Sequence, residues 1–489
     1  MIAAAVVLAA SMTADAGSVD TYGFGAASIG RGMGGVSVAD GSMTVFRNPA
    51  LLQKLEWAEA SVGFAFQRGA FPQSPPVYWD TNRDGSINNS DEPLELMAAG
   101  QQTDGLTLSI GRHVGPKAGI ALNAFLPTDQ FLRLRTTEPA LPAWVMYGNR
   151  SQRFELGLGV GVEFYKGLSL GVGTELIAQA RYRINGTLDV AAGAVQDETD
   201  TAEDLIEYVR VDVHEMTLDL IPRFVPVAGF HWDVGTLLSA LDGFNLGIAW
   251  RGSSGIPVSA DIDLQLNGAL NQLGDLGDLG LSIVMPVELS IYDHYVPERW
   301  SFGASYEGEG WPLIYVDLHR TLWSGMKVNV AQVTESAIMS QVFQVEENLV
   351  EDENQYSVTF SDRWSFNTGT EVTLPALKTD GKAGDVVPVL RAGFGYFPSP
   401  LSEQGRGSSF VDSDRIMFAA GLGVRHLDPF GLVPGPVGWD LFYTRHELAE
   451  GSLTPEPSEH SMAGIPVDDA SIPIGGSLWS FGLQFSVSF

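Results

Sequence analysis

The chain has 489 residues, room for two to four ordinary domains or one large β architecture, with 45% apolar and only 18% charged residues. Its formal net charge of −31 is the wrong sign for a nucleic-acid partner, whose phosphates require Lys and Arg. The lack of cysteine removes disulfides, thiolate catalysis and thiolate metal sites, and past the N-terminal segment no run approaches the ~18 apolar residues of a membrane helix.

Residues 1–16 read as a secretory signal peptide. Ile2 to Ala10 is an apolar core too short to span a bilayer, and Ala14-Asp15-Ala16 supplies a small-x-small cleavage signature before Gly17. No basic residue precedes that core, a departure from the usual n-region. Residues 17–56 are too apolar and glycine-rich for a linker. They contain Gly30-Arg31-Gly32-Met33-Gly34-Gly35, which spells G-x-G-x-x-G. That pattern cradles a pyrophosphate where a buried strand ends and a helix begins. Neither flank fits: no buried strand precedes Gly30, and no helical stripe follows Gly35. Glycine also permits close backbone approach, and on that reading residues 17–56 form a small hatch, or plug, inside a narrow lumen.

From residue 57 to 489 the dominant signal is period two. Phe154 to Phe164 places Leu156, Leu158, Val160 and Val162 on one face and Gly157, Gly159 and Gly161 on the other. A soluble sandwich would carry a richly polar outer face. A large apolar face opposed by glycine suits a membrane barrel, with lipid outside and a lumen inside. The same alternation marks about fourteen strands, near 57–68, 104–113, 117–126, 152–164, 168–186, 208–232, 244–266, 285–306, 312–324, 355–374, 387–398, 415–427, 438–448 and 477–489. Connections after even-numbered windows are short or moderate and those after odd-numbered ones mostly long, the asymmetry of periplasmic turns and outer loops. The expected fold is all-β: a transmembrane antiparallel β-barrel over 57–489, in a bacterial outer membrane, handed to the barrel-assembly machinery through its C-terminal Phe489.

The first long outer loop, 69–103, carries a twelve-residue calcium pattern. Asp80, Asn82, Asp84, Asn88 and Asp91 offer side-chain oxygens, Ser86 a carbonyl, and Gly85 the sharp turn. A structural Ca2+ is expected there; a plain polar turn is the bland reading. The acidic runs at 196–204 and 345–354 read as solvated loops. No G-x-S-x-G and no H-E-x-x-H occurs, and the only tempting couple, Asp317 and His319, sits on a strand where such pairs are often structural. An enzyme is not expected.

Several motifs resemble, in order, those of the FadL-like long-chain fatty-acid and hydrophobic-compound outer-membrane transporters. They are the glycine stretch Gly30 to Gly35, then Phe46-Arg47-Asn48-Pro49-Ala50, Trp323-Ser324, Phe360-Ser361-Asp362-Arg363-Trp364, Arg391 to Pro400, and Val411-Asp412-Ser413-Asp414-Arg415. The resemblance implies passive uptake of hydrophobic molecules, most of all long-chain fatty acids. It also implies gating by a hatch that includes Gly30, Gly32, Gly34, Gly35, Phe46, Asn48 and Pro49, with exit past the hatch or sideways through the wall. An aromatic-hydrocarbon channel, or a secretion-system scaffold of the same barrel type, is the alternative. A carboxylate cargo should meet a lumenal cation. By strand parity Arg251, Arg363, Arg391 and Arg415 point inward, Arg391 and Arg363 being the first choices and internal ion pairs or rim positions the competing reading.

Overall fold

The computed structural model describes residues 24–56, 58–72, 102–128, 143–144, 154–192, 206–254, 257–266, 281–290, 295–326, 332–333, 358–378, 384–404, 410–427, 433, 435–453 and 472–489. The signal segment and the calcium-type loop, Asp80 to Asp91, lie outside these residues.

Fourteen strands form one wall: β1 (Glu59–Ala70), β2 (Gln102–His113), β3 (Ala118–Pro127), β4 (Glu155–Tyr165), β5 (Leu168–Ala192), β6 (Ile206–Asp233), β7 (Phe244–Arg251), β8 (Glu298–Tyr306), β9 (Leu313–Leu322), β10 (Arg363–Thr373), β11 (Val386–Phe397), β12 (Arg415–His426), β13 (Val437–Leu453) and β14 (Ile472–Ser488). Each pairs antiparallel with the next, and β14 returns to β1 from Glu59↔Ser488 to Ala70↔Ser477. Phe489 completes the seam by exchanging backbone hydrogen bonds with Ala58. Closure leaves no edge, so every ladder group finds a partner without water.

The expected windows at 244–266 and 285–306 are too long for the wall. β7 stops at Arg251, where Gly252 and Ser253 break the alternation, and β8 starts at Glu298. The residues between include Pro257–Leu266 and Leu281–Ser290, which pair with each other, while the first also runs parallel to the upper part of β5. They extend the sheet beyond the rim. Likewise the window at 355–374 holds β10 from Arg363 only; Val358–Phe360 pairs with Leu401–Gln404 instead.

At one end the connections are short or moderate, such as 114–117, 166–167 and 307–312. Gly115 and Gly167 adopt φ of 77° and 76° there, a region that side chains resist. The long connections all leave the other end, which is the outer one.

Parity decides the faces. Val62, Phe64, Leu158, Val172, Phe418, Trp439 and Leu483 are exposed on the outside, while Gly157, Gly159 and Gly161 face inward. Near the outer rim Trp250 and Trp300 both donate indole N–H to Glu298, at 2.9 and 3.0 Å, an amphipathic pair suited to the headgroup level. A closed even-stranded barrel with this apolar belt is an outer-membrane barrel. No helix among the described residues is long and apolar enough to cross a membrane; the strands do so. Phe64→Arg, at mid-height of β1, is therefore expected to cost about 2–4 kcal/mol, read by urea unfolding from lipid vesicles. The same change on a water-facing strand would cost little, and a silent substitution would contradict the lipid-facing assignment.

Candidate functional site

Residues 24–56 lie inside the barrel. They form a short helix α1 (Ala26–Gly30) and two 3-10 turns, Met43–Phe46 and Pro49–Lys54. Phe24 stacks on Phe46 with ring centroids 3.5 Å apart, and both pack with Ile29 and Met43 against Phe125 of β3 and Phe442 of β13. This inner segment therefore has its apolar core in common with the wall.

The glycine stretch serves contact. A Cβ on Gly30 would stand 2.9 Å from Cα of Gly421 on β12. One on Gly32, where φ is 101°, would stand 2.9 Å from Cα of Gly393 on β11. Backbone lies on backbone, which only glycine on both sides allows. Gly369 and Gly393 likewise leave room for the Arg31 carbonyl. Gly34 sits against the Tyr315 ring, and Gly35 against the Arg47 side chain. The glycine-rich inner parity of the wall and the glycines of the inner segment thus answer one another.

Polar groups fix this arrangement. Gly34 N–H donates to the Tyr315 hydroxyl at 3.0 Å, which donates to the Arg31 carbonyl at 2.7 Å. Asp317 accepts from Gly35 and Val36 N–H at 2.8 and 3.2 Å. Asn367 donates to the Gly32 carbonyl at 3.1 Å, and Gln484 accepts from Ala26 N–H at 2.9 Å. Asn48 caps the Pro49–Lys54 turn by accepting from Ala50 N–H, and its amide donates to Val36 at 2.7 Å and to Phe230 of β6 at 2.9 Å. Asn48 is a three-way junction, and Pro49 starts its turn where no N–H is needed. Lys54 donates to Asn245 at 3.0 Å, with its ammonium held below its ordinary pKa by burial.

Three of the four inward arginines are buried. Arg391 bonds Glu371 at 2.6 Å and Asp440 at 2.7 Å; Arg31 of the inner segment joins Glu371 at 2.7 Å, and Arg425 joins Asp440 at 2.8 Å. Arg251 pairs with Glu175 at 3.0 Å. Arg415 lies over the Phe397 ring at 5.0 Å. Arg363 is half-buried at the outer rim, donating to the carbonyls of Ser399 and Leu401.

On the loop side of the inner segment is a chamber of ≈ 40 Å³. Met33, Val36, Phe46 and Arg47 form its floor, and Val227, Arg251, Arg299, Asp317, His319 and Phe397 are among its walls. Of the four expected arginines only Arg251 lines it; Arg391, Arg363 and Arg415 do not. Arg299 was legible, since it shares the inward parity of Ser301 and Ser305. Arg47 was visible as a residue of the Asn-Pro-Ala element but carried no signal of its role. Asp317 and His319 both face inward without coupling. His319 lies 2.8 Å from Ser301 Oγ and 2.8 Å from Asn367 Oδ1. The Asn367 amide nitrogen already donates to the Gly32 carbonyl, so its oxygen accepts from the ring Nε2–H, while Nδ1 meets the Ser301 hydroxyl.

No protein-family model and no curated protein matches the chain. Solved structures do. A FadL homologue of Pseudomonas aeruginosa aligns at 14% identity and TM-score 0.56, covering 95% of this chain and 98% of that one. The toluene transporter TodX of P. putida aligns at 12% identity and TM-score 0.46, over 96% and 99%. The Ralstonia pickettii toluene transporter TbuX aligns at 12% and 0.43, over 96% and 98%. The first of these shows that the chain has the fold of that FadL homologue.

Proposed function

We propose that the barrel is a passive uptake channel for hydrophobic molecules, chiefly long-chain carboxylates, and that the inner segment is its plug. The observation that carries this reading is the chamber on the plug's outer side. Phe46, Phe397, Val227 and Met33 give it apolar surface, while Arg47, Arg251 and Arg299 bring guanidinium groups, Arg251 already paired with Glu175, beside the Asp317 carboxylate. A hydrocarbon would gain nothing from three guanidinium groups; an amphiphile with an anionic head uses both kinds of wall. The chamber has about three times the ~10–15 Å³ that one water needs. It accepts a headgroup, with the tail toward the loops, and passage needs the plug to move. The ladders β2–β3 and β3–β4 run without a register break, which favours exit past the plug over exit through that part of the wall.

The test is extraction of the purified barrel, prepared in a detergent without an acyl chain, followed by mass spectrometry of the released molecules. About one carboxylate lipid per barrel is expected. An empty lumen that also refuses added long-chain fatty acid would move the reading to aromatic cargo or to a scaffold.

A further inference from the structure

On the lipid side of the wall, toward the outer rim, two arginines stand in one row on either side of a tryptophan. Arg445 of β13 lies opposite Trp479 of β14, and Trp479 lies opposite Arg68 of β1. Parity turns all three outward: Arg68 shares a face with Val62 and Phe64, Trp479 with Phe481 and Leu483, and Arg445 with Trp439 and Tyr443. The side chains of Arg68 and Arg445 are 32% and 50% exposed.

The row marks a boundary. From Glu59 to Arg68 ten residues of β1 pair with β2, the length of a tilted strand across the hydrocarbon core. Below the row the outer face is apolar, with Phe66, Phe481 and Leu483; above it the same face carries Glu447 and Ser477. An arginine facing lipid is costly at the bilayer midplane and nearly free at the interface, so these two belong at the headgroup level of the outer leaflet.

Each guanidinium is held from one side. Arg68 lies over the Phe66 ring at 5.3 Å. It donates to both oxygens of Asp104, at 2.5 and 3.2 Å, and to the Gln67 carbonyl at 2.8 Å, which uses three of its five N–H groups. Asp104 belongs to β2, on the side of β1 away from Trp479. Arg445 donates through Nε to Glu447, two residues further out on its own strand. Ion pairs this exposed add little stability; what they do here is fix two guanidinium groups, two strands or about 10 Å apart, across one indole. Guanidinium takes phosphate oxygens in pairs, and the indole offers an apolar face with a polar edge. The lipid on this side of an outer membrane is chiefly a glycolipid with phosphate on its sugars.

We propose that Arg68, Trp479 and Arg445 form a binding site for one phosphorylated glycolipid of the outer leaflet, with phosphate on the arginines and sugar against the indole. The site lies outside the lumen and does not depend on what the barrel carries. It spans the seam where β14 returns to β1, so a bound headgroup clamps the first strand to the last two. Arg320 is the contrast: it faces lipid opposite Trp300 and Trp364, but as a single guanidinium held by Asp362.

The full-length barrel, folded in a phosphate-free detergent, is titrated with diphosphoryl lipid A and followed by native mass spectrometry. One lipid A per barrel is expected. Dephosphorylated lipid A and phosphatidylglycerol should bind about tenfold or more weakly, and millimolar inorganic phosphate should not displace the lipid. Arg68→Gln combined with Arg445→Gln should weaken lipid A binding by about tenfold or more, and Arg320→Gln should leave it unchanged. No retained lipid A, equal binding by the double variant, or equal binding of the dephosphorylated form would overturn the site. Equal binding of phosphatidylglycerol would overturn its assignment to a glycolipid, and displacement by inorganic phosphate its assignment to a lipid. Should the double variant fail to fold, Arg445→Gln alone and the comparison of lipids on the unsubstituted barrel still decide.

Discussion

Replacing Gly393 by leucine is expected to make the barrel leak ions and small solutes while it still assembles. Gly393 lies at mid-height on β11, paired with Gly369 of β10 and Ala419 of β12, so the wall holds it from both sides. Across the lumen, a Cβ at this position would collide with the Arg31 carbonyl and with Cα of Gly32. These are backbone atoms and cannot rotate aside. The yielding partner is therefore the inner segment, whose seat here depends on the Asn367 bond to Gly32 and the Arg31 pair with Glu371. Overpacking costs about 1–3 kcal/mol even where side chains can adjust. Near the upper end that shifts the closed-to-open ratio by roughly 100-fold. Single-channel conductance in planar bilayers is the readout. Ala392→Leu, one residue away on the lipid side, is the control and should stay closed. A Gly393→Leu channel as quiet as that control would mean that the plug is not seated on this glycine.

The strands, and which way each residue faces, were open to sequence reading because a lipid-embedded wall has two unlike surroundings. Leu158 and Val160 must meet hydrocarbon, while Gly159 and Gly161 must admit the inner segment, so the chain records the period at every step. Where the surroundings change, the record blurs. Beyond Arg251 the alternation resumes at Pro257 in a hairpin outside the wall, and composition alone does not separate it from β7. The site was legible by half. Parity turns Arg251, Arg391 and Arg415 inward, but pairing depends on strands distant in sequence. Glu175 reaches Arg251 across β6, in register through Val225 and Val227. The glycine stretch and Asn48-Pro49 announced a compact insert. That Arg47 would bind the Phe24 and Met33 carbonyls follows only from the folded path of residues 24–47, which no periodicity encodes.

The same distinction separates two roles for Arg391, and substitution can tell them apart. Arg391→Ala removes the centre of a five-member row: Arg31, Glu371, Arg391, Asp440 and Arg425. Removing one partner of a buried pair typically costs about 3–5 kcal/mol, because the remaining charge has no water. Here Arg31 still holds Glu371 and Arg425 still holds Asp440, so the loss is expected at or below the low end of that range. It should appear in urea unfolding from lipid vesicles, together with a looser plug. Oleate affinity, by contrast, should hold within a few-fold, because Arg391 does not line the chamber. Glu371→Gln in the Arg391→Ala background should cost further stability, since it strips the buried Arg31 of the carboxylate that it still holds; a double-mutant cycle measures the coupling between Arg391 and Glu371. A receptor for cargo would behave in the opposite way, with affinity falling at unchanged stability, and that pattern would place the headgroup on the wall at Arg391.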